Sequence, residues 1–225
     1  MNLAEASALV VPVVVAVTFH EAAHGFVAYR FGDDTAWKAG RVTFNPLKHI
    51  DLFGTIILPA LLLLSSSGRF MFGYAKPVPV NFRQLYHPRR DMVWVAIAGP
   101  ATNVLLAIVS SLLIYGLGLF PAGAADWLGR NLANSILINV ILCVFNMIPL
   151  PPLDGGRVAV GLLPDALAFP LARVERYGIF IVLLFLFVLP YVGEQTGHDL
   201  NIAGWLIGVP AEALYQFVLS ITGQG

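Results

Sequence analysis

Long apolar runs separated by short clusters of polar and charged residues organise this chain. Five runs, roughly 3–31, 91–118, 130–149, 174–192 and 200–221, are long enough to cross a bilayer as helices, since a crossing takes about 20 residues at 1.5 Å of rise each. A sixth, Leu52 to Leu64, is short and interrupted by Pro59. It reads either as a thin span or as a re-entrant segment. Positive charge arbitrates. If the run spans, the thirteen Lys and Arg residues divide eight to five between the two sides; if it is re-entrant, twelve share one side and only Arg130 lies on the other. The second partition fits the positive-inside rule far better. It predicts an external N-terminus and a cytoplasmic C-terminus. Residues 70–82 (FMFGYAKPVPVNF) alternate aromatic, β-branched and proline positions. They read either as an extended edge segment, with 36–44 as strand partner, or as an ordinary cytoplasmic loop.

The expected fold is therefore an all-α polytopic membrane protein. It is a bundle of five to six transmembrane helices with a re-entrant segment and a short membrane-associated β element. A single unit is expected over 1–225, with its core in 1–160 and C-terminal helices in 161–225. The last two spans either complete the bundle or open as a gate; Pro190, Gly193 and Gly197 between them permit both.

Composition agrees with this reading. The 225 residues are 58% hydrophobic and 12% charged, about half the charge of an ordinary soluble domain. Net charge is zero, so nothing draws the chain to nucleic acid. The single cysteine, Cys143, sits in an apolar run and excludes an intrachain disulfide framework. No positive charge precedes the first apolar stretch, which continues into polar residues in helical register. A retained helix is expected there, not a cleaved leader.

Those polar residues carry chemistry. His20-Glu21-Ala22-Ala23-His24 is an HExxH motif. Residues i and i+4 share a helix face, so both imidazoles can bind one ion, with Glu21 beside them as a base. Neutral imidazole suits zinc, and zinc brings the pKa of water down to about 7. Three polar residues inside a membrane helix default to a functional reading. The bland alternative is a cluster snorkelling at a helix end, but His24 lies about 9 Å of helical rise before Arg30.

Two histidines leave zinc short of a third protein ligand. His49, His87 and His198 fall in charged loops, Glu212 at a helix end, and Asp51 before the short apolar run. Asp154 follows a run with three prolines and precedes Gly155 and Gly156. It reads either as the third ligand or as the N-cap of the next helix.

These motifs together resemble the site-2 protease family of intramembrane zinc metalloproteases. HEAAH at 20–24, AGPATN at 98–103 and NMIPLPPLDGG at 146–156 match its signatures in order, over about 20 to 160. NPLKHIDLFGT at 45–55 and GYAKPVPVN at 73–81 look like small prokaryotic members that lack PDZ and CBS domains. The resemblance implies Zn²⁺ held by His20, His24 and Asp154, and Glu21 as catalytic base. It places Asn103 and Asn146 near the substrate. It further implies hydrolysis of peptide bonds within or near transmembrane helices of membrane-protein substrates, in contact with lipid and without nucleic acid. An extended edge at 70–82 would hold an unwound substrate by β-addition. A zinc transporter or metal-binding scaffold is the competing class. It fits less well, because no internal repeat is visible and Glu21 would have no use. A glutamate third ligand, Glu175 or Glu194, lacks a comparable motif.

Overall fold

The computed structural model describes residues 3–58, 61, 64 and 73–225. The first helix, α1 (Leu3–Arg30), carries Pro12 in its interior. Proline has no N–H to give the carbonyl four residues back. Here the Asn134 side chain from another helix donates to the Ala8 carbonyl at 2.8 Å instead. The helix stops at Gly32, whose φ of 104° only glycine adopts readily. Asp33, wholly buried, then accepts from the Thr35 backbone and hydroxyl and from the Asn81 amide. That ties the end of α1 to a distant loop. A short turn of helix follows, α2 (Thr35–Lys38).

The next helix, α3 (Pro88–Leu113), opens on proline, which suits a first-turn position. It runs on as a 3-10 stretch, Ile114–Leu119. Helix α4 (Ala122–Asn146) returns across the bundle. The proline-rich turn after it leads to α5 (Asp154–Leu162). Then come α6 (Asp165–Leu183), a π-helical turn at Leu184–Val188, α7 (Leu189–Thr196) and α8 (Ile202–Ile221).

Helices α1, α3 and α4 pack mutually, and α5 packs on α3. Small and β-branched side chains fill the interior: Ala16, Ala107, Ile136, Val140 and Val218 are essentially buried. Helix α8 is pinned to α3 by a Ser111–Thr222 hydroxyl pair at 2.7 Å and by the Tyr115 hydroxyl donating to the Thr222 carbonyl. The turn between α5 and α6 is clamped by Arg89, which donates to the Gly161 and Leu163 carbonyls and pairs with Asp165.

Five helical segments are long and apolar enough to cross a membrane: Leu3–Arg30, Pro88–Leu119, Ala122–Asn146, Asp165–Thr196 and Ile202–Ile221. Their outer faces carry bare apolar groups; Leu105, Phe180 and Trp205 are each more than half exposed. Patches of this kind belong against lipid. The chain is a multi-pass integral membrane protein.

Two finer expectations are corrected. Among the described residues there is no strand. Residues 36–44 begin as a helical turn, and Pro77 and Pro79 have no N–H for a ladder. The amides of 73–81 bond singly to separate elements: Tyr74 to the Gly54 carbonyl, Lys76 to the His49 carbonyl and Val78 to Glu21. Residues 70–72 lie outside the described residues. The re-entrant segment also finds no support. Its described part is helical: a π-helical turn, Leu52–Ile57, capped by Asp51 accepting from the Gly54 amide, with Leu58, Leu61 and Leu64 helical after it. Residues 59, 60, 62 and 63 lie outside the described residues.

Candidate metal centre

The HExxH run lies in α1 where the helix meets α3 and the turn before α5. His20 Nε2 and His24 Nε2 stand 3.0 Å apart. Asp154 Oδ2 is 3.2 Å from the first and 3.3 Å from the second. Among the described residues this is the only group of three or more His, Cys, Asp or Glu side chains whose ligand atoms converge. Sequence reading left Asp154 between ligand and cap. The structure starts α5 at Asp154 itself, with Leu153 at the cap position and no side-chain cap bond.

The ring orientations define what the three atoms are. His24 Nδ1 sits 2.7 Å from the Val95 carbonyl, which only accepts, so this nitrogen carries the proton. His20 Nδ1 sits 2.6 Å from Asn103 Oδ1 and is likewise the donor. With the proton on Nδ1, the neutral form of each ring turns a bare Nε2 lone pair inward, toward the other ring and toward a carboxylate oxygen. That oxygen is buried and has no hydrogen-bond partner. Three electron-rich atoms at this spacing repel unless a cation sits among them. Tetrahedral zinc with ligands at 2.0–2.1 Å spaces them about 3.3–3.4 Å apart. The residues fit the ion.

Close approach depends on glycines. A β-carbon at Gly99 would stand 2.5 Å from His24 Nε2 and 2.5 Å from His20 Cε1. At Gly155, Gly156 and Gly178 it would overlap the backbone of the 147–152 turn. Only bare backbone lets α5 and α6 close on that turn and present Asp154.

Beside the three atoms opens a cavity of about 150 Å³, lined by Glu21, Val78, Asn146 and Arg157 among others. Larger clefts of about 470 and 600 Å³ lie elsewhere, around Tyr215 and among Arg173–Arg176, away from this cluster. One oxygen of Glu21 accepts from the Val78 amide at 2.7 Å. Asn146, half-buried, donates to the Leu142 carbonyl and borders the cavity. Asn103 has no exposed surface and lies behind His20, off the cavity. Arg157 lies 4.9 Å over the Phe82 ring and 3.5 Å from Glu175.

Helical spacing put His20, Glu21 and His24 together without structure, while for Asp154 it left ligand or cap open and the family resemblance implied the ligand. Sequence reasoning missed Gly99, the Val95 carbonyl, the Val78 amide and Asn139. For Asn139 a signal existed, a polar residue within an apolar membrane run. Backbone groups leave no such trace.

Several known proteins resemble this chain. The model of peptidase family M50 matches residues 8–136 and 124–189. The "Putative zinc metalloprotease YwhC" of Bacillus subtilis (strain 168) is 44% identical over 187 residues, 81% of this chain and 80% of its own. A relative described in the same words, Rip2 of Mycolicibacterium smegmatis, is 32% identical over 77% of this chain and 64% of its own. MJ0611 of Methanocaldococcus jannaschii, also so described, is 33% identical over 62% of each. No solved structure matches the chain significantly.

Proposed function

The chain belongs to peptidase family M50, and from that premise we propose a role for each residue of the centre. The protein is an intramembrane zinc metalloprotease. His20, His24 and Asp154 hold the zinc, and Glu21 is the catalytic base. The observation that carries this is the inward set of two bare imidazole nitrogens and one unpartnered carboxylate oxygen, 3.0–3.3 Å apart.

Zinc, when bound there, supplies the Lewis acidity that brings the pKa of water to about 7. The protein's own groups do the rest. The Val78 amide holds one oxygen of Glu21 at the cavity wall, leaving the other to take a proton from attacking water and return it to the departing amine. Asn146, on the cavity wall, hydrogen-bonds the substrate backbone. Asn103 supports His20 from behind. Substrates are transmembrane proteins, whose helical peptide bonds are shielded by internal hydrogen bonds and must unwind locally before attack. With the five helical segments named above as its crossings, the chain puts twelve of its thirteen Lys and Arg residues on one side, which the positive-inside rule makes cytoplasmic, and the centre opens toward that side. Single cysteines placed near each terminus in a Cys143→Ser background and labelled with an impermeant thiol reagent test that orientation. Labelling of the N-terminal site from the cytoplasmic side would reverse it.

Glu21→Gln separates a protease from a transporter or scaffold. In proteoliposomes the variant is expected to keep zinc and lose cleavage of a single-span substrate by about 10²–10⁴-fold, the usual worth of general acid–base catalysis. Full cleavage by Glu21→Gln, or zinc transport indifferent to it, would defeat the proposal.

A further inference from the structure

Behind His20 runs a chain of buried polar groups that the reaction does not itself use. Asn103 Oδ1 meets His20 Nδ1 at 2.6 Å. Asn103 Nδ2 donates to Asn139 Oδ1 at 2.8 Å. Asn139 Nδ2 donates to the Ser135 carbonyl one turn back in α4, at 2.8 Å. Both asparagines are completely buried. Each bond fixes the next. A backbone carbonyl only accepts, so Asn139 must turn its amide nitrogen toward Ser135 and its oxygen toward Asn103. Asn103 must then turn its nitrogen to Asn139, with the Ala16 carbonyl a longer second acceptor at 3.5 Å, and its oxygen to His20. His20 must carry its proton on Nδ1 and leave Nε2 bare for a metal. If Asn103 were free to flip, its amide nitrogen would face His20 Nδ1 and favour the proton on Nε2, the tautomer that cannot ligate.

We propose that Asn139 is a positioning residue of the metal centre: acting through Asn103, it sets the tautomer of His20 from the far side of the bundle. The inference rests on the reading of His20 as a zinc ligand. Groups that orient a metal-bound histidine typically contribute about 10–100-fold in metal affinity. A merely structural asparagine would alter stability without that selectivity.

The test is zinc affinity of the full chain in detergent, by competition with a chromophoric chelator, with unfolding of the metal-free protein followed in parallel. Asn139→Leu is expected to weaken zinc by about 10–100-fold. Asn139→Thr, whose hydroxyl bonds back within its own helix, does the same and serves if the leucine variant fails to fold. Asn139→Asp is expected to stay within about threefold of wild type, because a buried protonated carboxyl can donate to Ser135 and accept from Asn103. In an Asn103→Leu background, Asn139→Leu adds nothing further, since the path to His20 is already cut. Unchanged affinity in Asn139→Leu or Asn139→Thr, an equal loss in Asn139→Asp, or losses that multiply in the double variant would overturn the proposal. His20→Ala is the control. If it binds zinc as wild type does, the ligand assignment itself falls and this inference with it; if it loses zinc while Asn139→Leu does not, only the relay falls.

Discussion

Gly99→Ala adds one methyl group to α3 where that helix crosses α1. Its carbon would stand 2.5 Å from His24 Nε2, 2.5 Å from His20 Cε1 and 2.6 Å from His20 Nε2. Nonbonded heavy atoms settle at about 3.5–4.0 Å, so rings and methyl must part by roughly 1 Å. Neither ring has slack, because each is held from behind by a hydrogen bond of 2.6 or 2.7 Å. Losing one orienting group typically costs about 10–100-fold in metal affinity. Displacing two ligands together should reach the upper end or beyond, about 100-fold or more. The effect on the helix runs the other way, since alanine favours a helix over glycine by about 0.8–1.0 kcal/mol. A weakened helix therefore cannot explain lost zinc. Chelator competition on the purified variant gives the affinity, and thermal unfolding without metal gives the stability. Zinc binding within threefold of wild type would refute the close-approach reasoning.

Two further outcomes follow from packing. Asn134→Leu strips the Ala8 carbonyl of its partner opposite Pro12 and should destabilise the bundle by about 0.6–1.7 kcal/mol, measured by reversible unfolding in mixed detergent; no change would mean that carbonyl is satisfied otherwise. Gly178→Ala drives a β-carbon into Pro151 and Pro152 and should cost about 1–3 kcal/mol. It should also lower zinc affinity, because that turn presents Asp154; a destabilised variant with unaltered affinity would disconnect turn from ligand.

The spans were legible because a bilayer imposes a coarse rule, about 20 apolar residues per crossing. Each of the five runs read from the sequence falls largely within an observed helix, though boundaries moved. The fourth reached back to Asp165, where charged residues still ride on the helix outside its apolar stretch. The HExxH spacing was legible because helical periodicity alone puts i and i+4 on one face. Asp154 needed the fold, since its position depends on three glycines whose role is to have no side chain. The segment 73–81 misled by its β-branched and aromatic residues. Its amides find partners one at a time in Gly54, His49, Glu21 and Asp33. A local pattern does not distinguish that arrangement from a ladder. The family resemblance alone sets Asn103 near the substrate; the structure buries it behind His20, against Nδ1.

Zinc content of the purified chain bears most directly on the metal centre. Wild type should carry one zinc per chain, and His20→Ala, His24→Ala and Asp154→Asn should each lose it while Glu21→Gln retains it without cleaving. Full zinc in Asp154→Asn, or in either histidine variant, would contradict the ligand set.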